Sequence, residues 1–124
     1  MFENADLIYR YTRAQAIADG VLVDVTEKAK EAGIRYPTAL TGAVWDQYVK
    51  VPEGVEAQDE SGRLWDVLVM MRHAILRSPD GDALLFRLHV RNTNGRPQPV
   101  TLKCVCGPDD NGSPCLTVML PDED

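Results

Sequence analysis

The chain has 124 residues, 44% of them hydrophobic and 26% charged, the balance of a single soluble globular domain. A formal charge of −6 speaks against a general nucleic-acid binder, which normally carries a basic excess. No apolar run reaches the length of a membrane span, MFENADLIYRYTR has no leader pattern, and three cysteines cannot make a paired disulfide framework, so a reducing cytoplasm is expected.

Thr12-Arg13-Ala14-Gln15 matches a capping box, a hydroxyl at the cap and glutamine three residues on. A short helix should follow and stop at Asp19-Gly20. Val21–Val25 is a short β-type run. Thr26 is then placed to cap a second short helix, Glu27 to Ala32, that ends at Gly33. Tyr36-Pro37 is a boundary, because the residue before proline avoids helical angles. Thr38 to Val49 reads as a third helix, with Leu40, Ala43, Val44 and Tyr48 on one face and Trp45 on its flank. Val51-Pro52-Glu53-Gly54 ends it.

Ser61–Ser78 is the longest structural signal. Leu64, Val67, Leu68, Met71, Ala74 and Ile75 recur at spacings of three and four, and Trp65, Val69 and Leu76 form a second apolar flank. The polar stripe is narrow: Arg63, Asp66, His73 and Arg77. A helix of this kind is expected to be mostly buried, with the N-terminal helices on its far flank. Asp66 and His73 are the polar groups most at risk of burial.

After Gly81 the period changes to two. Leu84 to Arg91, Val100 to Cys106 and Cys115 to Leu120 alternate as half-buried strands. Asn94-Gly95 and the loop from Gly107 to Pro114 separate them. Helices first and an antiparallel meander after them predict an α+β fold, one domain over 1–124. Its parts are a helical segment (1–60), a central helix (61–78) and a three-stranded antiparallel sheet (84–120). Val21–Val25 and Leu7–Tyr11 could supply a fourth and a fifth strand.

Three sets of residues carry chemical interest. Tyr9, Tyr11 and Arg13 cluster just before a helix start, where anions bind readily, although Thr12 and Gln15 already account for the cap. Arg87, His89, Arg91 and Lys103 fall on the outer sheet face and would give a basic patch on an acidic protein; a solvated sheet face is the plainer account. Cys104, Cys106 and Cys115 are the thiols, with His89 as a nominal fourth metal ligand. The C-x-C spacing is wrong for a zinc knuckle, and His89 should face away from Cys104 and Cys106, so buried thiols acting as small hydrophobes are expected. Asp109-Asp110-Asn111-Gly112 lacks the spacing of a calcium loop. No phosphate loop, nucleophile elbow or paired-histidine motif occurs, and no catalytic residue, metal or cofactor is assigned.

Four blocks occur in order: Ala5–Thr26 (ADLIYRYTRAQAIADGVLVDVT), Ala29–Pro37 (AKEAGIRYP), Gln58–Leu68 (QDESGRLWDVL) and Val100–Asp124 (VTLKCVCGPDDNGSPCLTVMLPDED). Together they resemble a family of small bacterial proteins of unknown function often carried on plasmids and other mobile elements. The resemblance implies an accessory role in such an element. It implies no activity, cofactor or catalytic residue. The expected function is therefore a non-enzymatic interaction protein that binds a macromolecule, protein rather than nucleic acid, such as a host defence or nucleic-acid-processing component. The alternatives are a small enzyme or nucleotide-binding protein using Tyr9–Arg13, and an RNA-binding sheet.

Overall fold

A computed structural model describes residues 11–78 and 80–124, so Tyr9 and most of the strand expected at Leu7–Tyr11 lie outside the described residues. In chain order the elements are α1 (Arg13–Ala18), β1 (Leu22–Asp24), α2 (Thr26–Glu31), β2 (Thr38–Thr41), α3 (Gly42–Val44) running into a π-helical turn (Trp45–Val49), α4 (Glu60–Arg77), β3 (Ala83–Val90), β4 (Gln98–Pro108) and β5 (Pro114–Met119). The fold is α+β. Its sheet has five strands in the order β1-β2-β5-β4-β3.

The sheet as a whole is mixed, which corrects the expectation of a purely antiparallel one. β3, β4 and β5 do form antiparallel hairpins, but β2 joins β5 in parallel, with Ala39 beside Thr117. β1 then pairs antiparallel with β2. The segment 1–60 is therefore not simply helical. The residues read as one helix, Thr38 to Val49, divide at Thr41. Thr38, Ala39 and Leu40 are fully buried in β2, which bonds to a neighbour on each side. A strand buried on both faces has no polar alternation, so its apolar residues happened to continue the helical spacing of Ala43 and Val44. Thr41 ends the strand and its hydroxyl accepts from the Val44 amide at 3.3 Å. Gly42 follows because a Cβ there would sit 3.2 Å from the Gly20 carbonyl oxygen. The π turn lets Lys50 N–H reach back to the Trp45 carbonyl at 2.8 Å, and it turns both Val44 and Val49 into the core.

One face of the sheet carries the core. Leu40, Leu116, Val118, Leu102, Cys104, Phe86, Leu88 and Val90 line it, and α4 covers them with Leu64, Val67, Leu68 and Met71. α4 begins where the side chain of Asp59 accepts from Gly62 N at 2.6 Å. Alongside it lie α2 and the α3–π segment. Lys28 of α2 stands 5.9 Å from the centre of the Trp65 ring, and the Arg72 side chain passes over Gly33. α1 departs from the expected arrangement. It packs on the opposite face of the sheet, over β1 and the outward-facing Thr117, and does not cover the far flank of α4. That flank leaves Trp65 39% and Leu76 63% exposed.

Of the two caps expected from the sequence, one is present and one is not. The box at Thr12 is present: its hydroxyl accepts from Gln15 N–H, and the Gln15 side chain accepts from Thr12 N–H. Thr26 is not a cap but the first residue of α2. Its hydroxyl donates to Asp24 Oδ1 and accepts from Thr38 N–H, which ties α2 to β2. The polar residues of α4 are also reassigned. Asp66 and His73 are exposed, whereas Arg63 is 5% exposed.

Candidate functional site

The basic residues expected to form one patch are divided by their registers. In β3 the odd residues face away from α4. Arg87 lies opposite Thr101 and His89 opposite Pro99. Lys103 lies opposite Leu85 on that same face, but its ammonium bonds to the Glu123 carbonyl oxygen. Arg91 is past the strand end. Its guanidinium donates to the carbonyls of Glu56 and Thr93, closing the loop after β3 onto the connector before α4. Arg87 and His89 are thus left together. Neither side chain makes a hydrogen bond or ion pair with the described residues.

Tyr11 and Arg13 are near one another but engaged. The Tyr11 hydroxyl donates to Asp19 Oδ2 at 2.8 Å, and that bond holds its pKa above the ordinary value. Arg13 donates through Nη1 to Thr117 Oγ1 and through Nη2 to the Leu116 carbonyl, each at 2.8 Å. The first amides of α1 are closed by the protein itself. Asp110 accepts from Arg13 N–H at 2.8 Å and from Ala14 N–H at 3.0 Å. The loop from Gly107 to Pro114 thereby has a structural task. Asp110 caps a helix distant in sequence, and Asp109 Oδ1 accepts from the amides of Asn111 and Ser113 within its own turn.

The thiols do not converge. Cys104 and Cys106 face α4, while Cys115, adjacent to the inward-facing Leu116, faces the other way. Cys104 and Cys115 are buried and all three are free thiols. Burial pushes the Cys104 thiol up to about 12. Among the described residues no cluster of three potential ligands stands ready for a metal ion.

A shaped, accessible surface lies along β3. This strand ends the sheet, and among the described residues nothing pairs with its outer edge. Cys106 N–H donates to the Asp82 carbonyl, so the even residues of β3 turn their main-chain groups to β4. Ala83, Leu85, Arg87 and His89 turn theirs to the open side. Beside this edge runs a groove of about 580 Å³ between strand and helix, lined by Trp65, Asp66, Val69, Met70, Arg87 and His89. A second groove of about 360 Å³ shares Met70 and Arg87 and runs along the edge toward Arg77. Leu85 is 61% exposed above it.

The family model for a family of unknown function (DUF6573) matches residues 1–124, the whole chain. The chain belongs to that family. No curated protein and no solved structure matches it. Membership in DUF6573 brings no residue roles, so the site rests on geometry alone.

Sequence reasoning singled out Arg87 and His89 but missed their apolar companions on the helix. Trp65, Val69 and Leu76 were visible as a second flank of the helix. Their exposure depends on where α1 goes, and no local pattern encodes that.

Proposed function

We propose that this protein is a non-enzymatic interaction protein that binds a protein partner along β3 and the neighbouring flank of α4. One observation carries the reading: an eight-residue strand whose edge is unpaired among the described residues lies beside exposed Trp65 and Leu85. Unpaired strand edges invite pairing, and natural proteins usually shield them with charge, proline or a covering element. Here Ala83–Val90 contains no proline, and two of its exposed residues are Ala83 and Leu85. Protein-binding surfaces tend to combine an aromatic anchor with such exposed apolar groups. The setting we propose is accessory to a mobile genetic element, with a host defence or nucleic-acid-processing component as the partner bound.

The test is an affinity capture from host lysate with the full chain, followed by quantitative mass spectrometry. Wild type is compared with a Trp65→Ala/Leu85→Asp variant of unchanged circular dichroism. Partners bound through the groove should fall at least about tenfold in the variant, as expected for loss of an aromatic anchor. An identical set of partners at equal recovery would remove the groove from the function.

A further inference from the structure

Resting on the reading that this groove is the binding site, we infer that its occupant is an extended acidic and apolar segment of another protein, added as a sixth strand to β3. The main chain sets the mode of binding. Ala83, Leu85, Arg87 and His89 each direct an N–H and a C=O outward along the strand. An extended peptide satisfies such a row through its own backbone, while its alternating side chains meet two different surfaces. Residues facing the helix side would enter the groove against Val69, Met70 and the Trp65 ring. Residues facing the outer side would stand directly opposite Leu85, Arg87 and His89.

Charge selects the occupant. The protein as a whole carries −6, yet the two grooves along this edge together hold Asp66 against Arg77 and Arg87, with His89 besides. Arg87 and His89 have no partner among the described residues to offset them. Opposite charges facing each other across neighbouring strands stabilise pairing, and like charges oppose it. An acidic side chain opposite Arg87, an apolar one opposite Leu85 and apolar ones on the helix side satisfy every surface at once. A second copy of this chain fits less well. Two β3 strands paired antiparallel about Arg87 would set the two Arg87 side chains against each other. Shifting the centre to Phe86 avoids that clash but leaves each Arg87 opposite a leucine. A foreign acidic strand meets both conditions.

The test uses the full chain, labelled with ¹⁵N, and two synthetic nonapeptides, one alternating valine with glutamate and one alternating valine with lysine. With the acidic peptide, amide exchange of Leu85, Arg87 and His89 should slow about tenfold or more, while Phe86 and Leu88, already paired to β4, should not change. The lysine peptide should leave all five unchanged. Arg87→Glu should reverse the preference between the peptides by about tenfold. Leu85→Pro removes an outward N–H that β4 does not use, and should abolish binding while thermal unfolding confirms the fold. Three outcomes overturn the inference. Neither peptide, or both equally, slows the odd amides. The odd amides slow without peptide as protein concentration rises, which assigns the edge to a second copy. Or they are already slow in dilute protein without peptide, which assigns it to the chain's own residues. Should groove-dependent partners be captured from lysate while peptide fails, the binding site stands and only strand addition falls.

Discussion

Arg63 donates to the main-chain oxygen of Arg91 at 2.8 Å, so a single buried side chain joins the first turn of α4 to the end of β3. The same guanidinium donates to the Val49 carbonyl at 3.0 Å and to Asn92 Oδ1 at 2.6 Å. Burial, and after it the nearby charge of Arg91, lowers its pKa from the ordinary value. Every acceptor named here is neutral. The charge is held by carbonyl and amide dipoles from the π turn and the end of β3, and α4, which carries Arg63, is thereby fixed to both.

Arg63→Met should therefore cost about 2–4 kcal/mol, because it strands buried carbonyls as well as removing charged hydrogen bonds. Arg63→Lys should recover only part of this, since an ammonium lacks the planar fork that reaches several acceptors. Urea denaturation at neutral pH checks both. A loss near zero for Arg63→Met would show that the three segments hold together without the guanidinium.

The cap on α1 is made across the fold. Asp110→Ala should destabilise by about 1 kcal/mol, the usual cost of an N-cap lost. Asp110→Asn keeps one acceptor oxygen and should lose less. Because Thr12 and Asp110 serve the same short helix, Thr12→Ala and Asp110→Ala should not add simply. A double-mutant cycle by denaturant melts measures the coupling.

Ala57 has a φ of 59°, in the left-handed region that favours glycine. It precedes the capped start of α4, next to Glu56, whose amide donates to Asn94 Oδ1 at 2.9 Å. Ala57→Gly should relieve this strain and raise stability by about 0.5–1 kcal/mol, after allowing for the greater freedom of glycine in the unfolded chain. An increase in thermal midpoint without change in the denaturant slope is the expected result.

Burial raises the Cys104 thiol from its ordinary 9.0 to about 12. Below pH 9 the thiol is neutral in both folded and unfolded chains and has no effect on the pH dependence. Between pH 9 and 12 the unfolded chain loses the proton and the folded chain keeps it. Stability should therefore fall as pH rises through that window, by at most about 1.4 kcal/mol per pH unit from this group. Cys104→Ala should flatten that part of the profile, whatever its effect on stability at pH 7. At pH 8 a thiol reagent should modify Cys106 first, since Cys104 and Cys115 are buried.

Local patterns in the chain were sufficient for α1 with its Thr12–Gln15 box, for α4 within a residue or so, and for the alternation of β3, β4 and β5. Each of these depends on neighbours within a few positions: a hydroxyl three residues from an amide, a helical stripe, a period of two. Arg87 and His89 were likewise readable as sharing a strand face. Tertiary contacts alone decided the rest. Thr38–Leu40 became a strand because β1 and β5 supply hydrogen bonds on both its sides, and those partners come from well outside the segment. Arg63 was buried, although its spacing put it on the polar stripe, because acceptors from the π turn and the end of β3 meet around it. The open edge of β3 and the bare flank of Trp65 and Leu76 follow from the same cause. They depend on which strand ends the sheet and which face α1 covers, and both are settled by long-range packing.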